Sequence, residues 1–96
     1  MIDSLVECGI SKDTIEKISE NESLTYNLWC NLDDCKQIIE YLKSINIKNI
    51  DDLLLYKSDM FMETKKDIEL LFNKKNTFEL VNSINDDYTN IDLLFE

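Results

Sequence analysis

Leu32-Asp33-Asp34-Cys35-Lys36-Gln37-Ile38-Ile39-Glu40-Tyr41-Leu42-Lys43-Ser44-Ile45 is the stretch whose reading decides the fold. Its apolar residues Leu32, Cys35, Ile38, Ile39, Leu42 and Ile45 are separated by steps of 3, 3, 1, 3 and 3. That spacing lays one broad apolar stripe along a helix. Asn31 stands at the N-cap position, and Asp33 and Asp34 fall in the first turn, where carboxylates meet the positive end of the helix dipole.

The same grammar extends outward. Ser4 and Glu7 have capping-box spacing, and Gly9 suits a left-handed stop for a short first helix. Ser11 is placed to cap a second helix carrying Ile15 and Ile18. Leu24, Leu28 and Trp29 mark another turn or two, and Asn49 precedes a helix running to Tyr56. Ser58 or Asp59 opens a segment to about Phe72, with Phe61, Ile68, Leu71 and Phe72 on one side. Asn76 or Thr77 opens residues 78–84, and Thr89 or Asn90 opens a last helix with Ile91, Leu94 and Phe95. Only Ile45-Asn46-Ile47 alternates as a strand would. The expectation is an all-α fold, a single domain over residues 1–96, built as a small bundle of seven or eight mostly short helices.

Three stretches share a pattern of helix end, tight turn and new helix. Ser44-Ile45-Asn46 leads to Asn49-Ile50-Asp51-Asp52-Leu53-Leu54, and Ser83-Ile84-Asn85 leads to Asn90-Ile91-Asp92-Leu93-Leu94. A fainter copy is Cys8-Gly9-Ile10-Ser11 before Thr14-Ile15. The offsets of 37–41 residues lie in the range of helical repeats, so two to three stacked helix-turn-helix repeats are expected. The motif Leu42, Ile45, Ile47, Ile50, Leu53, Leu54 resembles the helix-turn-helix units of the mitochondrial transcription terminator family. It is also similar to sterile-alpha-motif and helix-hairpin-helix elements. The resemblance implies nucleic-acid binding. The chain departs from these patterns at Ser58-Asp59, where the terminator family carries proline, and in lacking the hairpin glycines.

Composition restricts function more sharply than the helices do. Twenty acidic against ten basic side chains give a net charge of −10. The chain has no His, Arg, Pro or Ala, and one glycine. Without His the usual general base near neutral pH is missing. Without Arg, bidentate phosphate or guanine recognition is missing. One glycine cannot build a phosphate-cradling loop. Ninety-six residues with 44% apolar content suffice for a core without staples. No apolar run approaches the roughly 20 residues of a spanning helix, and the N-terminus lacks a positively charged leader pattern. These features predict a cytoplasmic protein with no membrane partner. Cys8, Cys30 and Cys35 read as reduced thiols and as small core hydrophobes.

Beyond Lys75 every charged residue is acidic: Glu79, Asp86, Asp87, Asp92 and Glu96. These five are the predicted partner-binding residues. Residues 85–96 partly follow a calcium-loop spacing but lack its turn glycine, so no metal is expected. Asp33-Asp34 and Asp51-Asp52 read as helix-start acids, since neighbours on a helix diverge by about 100° and do not converge as an acid–base dyad on one substrate. Lys65-Lys66 and Lys74-Lys75 read as a solvated face interrupted by acids. Trp29, Tyr26 and Phe61 are expected inside, because a small domain without Ala needs its large side chains in the core.

The expected function is a non-enzymatic acidic protein-binding module, of the immunity, antitoxin or inhibitor type, that neutralises a basic nuclease or nucleic-acid-handling partner. It needs no cofactor and makes no direct contact with nucleic acid. The alternative is a helical-repeat adaptor or regulator that binds a protein through an apolar groove, alone or as a homodimer.

Overall fold

The computed structural model describes residues 2–96. Among the described residues, six α-helices and three 3-10 helices follow one another, with no strand. The N-terminal 3-10 helix is Ile2–Cys8. It is followed by α1 (Lys12–Ser19), α2 (Glu22–Cys30), α3 (Leu32–Ser44) and α4 (Ile50–Tyr56). The middle 3-10 helix (Ser58–Met62), α5 (Lys65–Asn73), α6 (Thr77–Asp86) and the C-terminal 3-10 helix (Tyr88–Phe95) complete the chain. The all-α class holds, and most of the helices are short. The radius of gyration is 12.6 Å, close to the about 12.5 Å expected for this length.

The stripe on α3 is the middle of the core. Cys35, Ile38, Ile39 and Leu42 are fully buried, and α3 packs against α2, α4, α5 and the first two 3-10 helices. Leu5, Ile18, Leu28, Leu53, Leu54, Phe61, Phe72 and Ile84 join the same cluster. Tyr41 covers Phe72 edge to face, with ring centroids 5.9 Å apart.

Capping explains most of the helix starts. The side chains of Ser11, Asn21, Thr64 and Asn76 accept hydrogen bonds from the backbone N–H groups of Thr14, Leu24, Asp67 and Glu79. Asn31 and Asn49 stand at N-cap positions without capping. Asn31 Nδ2 donates instead to the Asn27 carbonyl, and Asn49 Nδ2 to the Ile84 carbonyl. The expected segment from Ser58 to Phe72 breaks in two, because Glu63 is extended and Thr64 caps a new helix. The last helix starts two to three residues earlier than expected, capped by Asp87 rather than by Thr89 or Asn90.

Two turns share one geometry. Gly9 and Asn46 have positive φ, at 97° and 72°. The N–H of Gly9 bonds the Val6 carbonyl and that of Ile10 the Leu5 carbonyl. Asn46 and Ile47 repeat this pair of bonds toward Lys43 and Leu42. This is a Schellman turn, with buried Leu5 and Ile10, and Leu42 and Ile47, at its hydrophobic positions. The third stretch is built differently. Among the described residues no positive φ occurs there; Asp87 is extended and bonds back to the Ser83 carbonyl.

Side-chain hydrogen bonds join each turn to the next. Lys43 Nζ donates to the Cys8 carbonyl, and Asp51 Oδ2 accepts from the Ser11 N–H and the Thr14 hydroxyl. One unit onward, Asn85 Oδ1 accepts from the Lys48 N–H while its Nδ2 donates to the Asn46 carbonyl. Ser11 and Lys48 each lie two residues after the left-handed residue, so both turns leave an N–H there that a later side chain satisfies.

Candidate functional site

The five predicted acids do not form one uniform patch. Asp87 is a structural cap: its Oδ1 accepts from both the N–H and the hydroxyl of Thr89, which lowers its pKa. Asp92 is tied inward. Its Oδ2 accepts the Tyr56 hydroxyl at 2.6 Å and its Oδ1 pairs with Lys57 Nζ at 3.3 Å. The Tyr56 hydrogen bond, aided by Lys57, lowers the Asp92 pKa, and the same bond raises that of Tyr56. Glu79 and Glu96 line a shallow groove of about 280 Å³ with Lys75 and Leu93, and Lys75 Nζ donates to the Glu96 carbonyl. Asp86 is exposed at the end of α6.

Aromatic rings stand beside these acids. Tyr56 and Tyr88 meet edge to face at 5.4 Å, and the Lys57 ammonium lies 5.0 Å from the centre of the Phe95 ring. Tyr56, Tyr88 and Phe95 all remain exposed to solvent. The C-terminal face therefore offers exposed aromatics held in place beside carboxylates, and tyrosine is among the residue types enriched where interfaces concentrate binding energy. The run of charge beyond Lys75 pointed to the acids. The tyrosines escaped it because Tyr56 reaches this face from α4.

A second face was missed outright. Phe61 is buried as expected, but Tyr26 and Trp29 are not: they are 63% and 53% exposed on α2. The apolar face of α2 is used by Leu28, fully buried, and by Leu24, packed half-buried against the core, while Tyr26 and Trp29 turn outward. Cys30 is also exposed, correcting the expectation of three core thiols; Cys8 and Cys35 are buried. Burial pushes the Cys35 thiol up to about 12, which makes it inert. Lys65, Lys66 and Lys74 are exposed, whereas Lys75 is partly covered.

The oxygens of the calcium-like spacing do not converge. Asn85 faces Asn46 and Lys48, and Asp87 faces Thr89. Among the described residues, no group of three or more His, Cys, Asp or Glu side chains is placed to hold a metal ion, and no helix is long and apolar enough to cross a membrane. Comparison with known proteins finds no matching family model, no matching curated protein and no matching solved structure.

Proposed function

We propose that this chain is a non-enzymatic, acidic binding module that neutralises a basic protein partner, a nuclease or another nucleic-acid-handling protein. The observation that carries the reading is the net charge of −10 on a surface that also exposes aromatic side chains among carboxylates. Such a surface mimics what a positive groove binds. Long-range attraction raises the encounter rate by about 10–1,000-fold, and the aromatic rings supply contact energy after docking. Nucleic acid itself is repelled by the same field.

The test is capture with the tagged chain from an extract of its own cells, followed by a salt titration of the complex. The expected partner has a pI above about 9 and dissociates progressively as salt rises. Glu79→Gln with Asp86→Asn removes two charges whose side chains make no bond needed for the fold, and should slow association without changing the melting temperature. A partner that is acidic, or held equally at all salt concentrations, contradicts the reading.

A second reading, a repeat-built adaptor, is favoured by the matching turns at Gly9 and Asn46 and by a groove of about 510 Å³ between the N-terminal 3-10 helix and α1, in which Val6 and Ile15 lie among Asp3, Glu7, Lys12 and Glu16. Deleting residues 90–96 would not separate the two readings, because Ile91 and Leu94 are core residues. Val6→Asp separates them: it abolishes binding through the groove and leaves charge-driven binding intact.

A further inference from the structure

Trp29 is the only tryptophan, and it lies across the boundary of two depressions. One, of about 260 Å³, is lined by Glu22 and Tyr26. The other, of about 410 Å³, is lined by Cys30, Asp33 and Asp34. The charged residues lining both are Glu22, Asp33 and Asp34, three carboxylates with no lysine among them. Tyr26 stands one helical turn before Trp29, so the two rings share a side of α2, while Leu28 anchors that helix in the core.

These features select for a cation. An indole face attracts ammonium and guanidinium groups through its quadrupole, and carboxylates on both flanks add to that attraction. A phosphate would meet three negative charges. A second copy of this chain would bring carboxylates against carboxylates. We propose that this surface receives a lysine- or arginine-bearing segment of a protein partner, with one basic side chain laid on the Trp29 indole between Glu22 and the Asp33–Asp34 pair. This rests on the reading of the chain as a binder of a basic protein, and it assigns that contact to α2 rather than to the C-terminal acids.

Because Trp29 is the single indole, its emission reports on this site directly. The probe is a short oligo-arginine peptide, titrated into the intact chain at low salt while Trp29 fluorescence and binding heat are recorded. A saturable change in emission is expected. Trp29→Ala should weaken the calorimetric affinity about two- to fivefold, the equivalent of an exposed cation–π contact of about 0.5–1 kcal/mol. Asp33→Asn with Asp34→Asn should weaken it further and flatten its salt dependence. Circular dichroism checks that each variant is folded. Peptide binding with unchanged emission and full affinity in Trp29→Ala overturns this assignment and leaves the basic-partner reading standing. No peptide binding also overturns it, and the captured partner then tests the broader reading on its own. Emission that depends on protein concentration without peptide, with a dimer in sedimentation, shows that a second copy occupies the face and overturns the proposal.

Discussion

Gly9 and Asn46 hold the same place in two turns, and only one of them is glycine. A Cβ at Gly9 would meet nothing nearer than Lys43 Nζ at 3.9 Å, so the cost of adding one is in the backbone. Gly9→Ala should destabilise by about 1–2 kcal/mol, read in urea unfolding, while Asn46→Gly should leave stability within about 0.5 kcal/mol. Thiol reactivity separates the three cysteines. Under native conditions at mildly alkaline pH a disulfide reagent should modify Cys30 rapidly, and Cys8 and Cys35 only on unfolding. The Asp92–Tyr56 bond sets a pH window. Asp92 is depressed when folded, so its contribution is complete above the ordinary carboxylate value near 3.9 and is lost as pH falls through the folded value. Tyr56 is raised, so its contribution is complete below about 10 and is lost as pH climbs through the folded value. Urea melts across pH should show both limbs weakened in Asp92→Asn.

At the scale of elements, what was legible was what periodicity and local capping dictate. The α3 stripe was readable because four of its six apolar residues are fully buried. Ile38→Ala should therefore cost about 2–5 kcal/mol, a large fraction of the about 5–15 kcal/mol that holds a domain together. The starts at Ser11 and Asn76 were readable because a side chain and an N–H three residues later settle them locally. Asn31 and Asn49 look the same in sequence, but carbonyls of Asn27 and Ile84 compete for their amides, and the Ile84 contact is visible only in the fold. Ser11→Ala should cost about 1 kcal/mol and Asn31→Ala less than about 0.5, measured side by side by thermal unfolding. The outward turn of Tyr26 and Trp29 follows from helical spacing: Leu24 and Leu28, four apart, share the core face of α2, while Tyr26 and Trp29 lie about 140–200° round from Leu24, and the compositional argument that large side chains go inside did not weigh this.

At the scale of the whole molecule, the charge is a property of the sequence, and the fold decides where it can act. Part of it is spent internally, in the Asp87 cap, the Asp51 bonds to Ser11 and Thr14, and the Asp92 bonds to Tyr56 and Lys57. Of the rest, Glu22, Asp33 and Asp34 line the depressions at exposed Trp29, and Glu96 follows exposed Phe95 at the end of the C-terminal 3-10 helix. The ladder of side-chain bonds linking residues 35–40 positions apart ties the start of α1, α3, α4, α6 and the C-terminal 3-10 helix together, and α2 joins that body through Leu28 and Leu24 in the core. The most direct measurement is the association rate of the captured basic partner as a function of ionic strength. The account predicts a rate that falls steeply from low to physiological salt, with a shallower fall in the charge-neutralised variants and a little-changed dissociation rate. A rate indifferent to salt, or retention of DNA or RNA by the chain alone at physiological ionic strength, would contradict it.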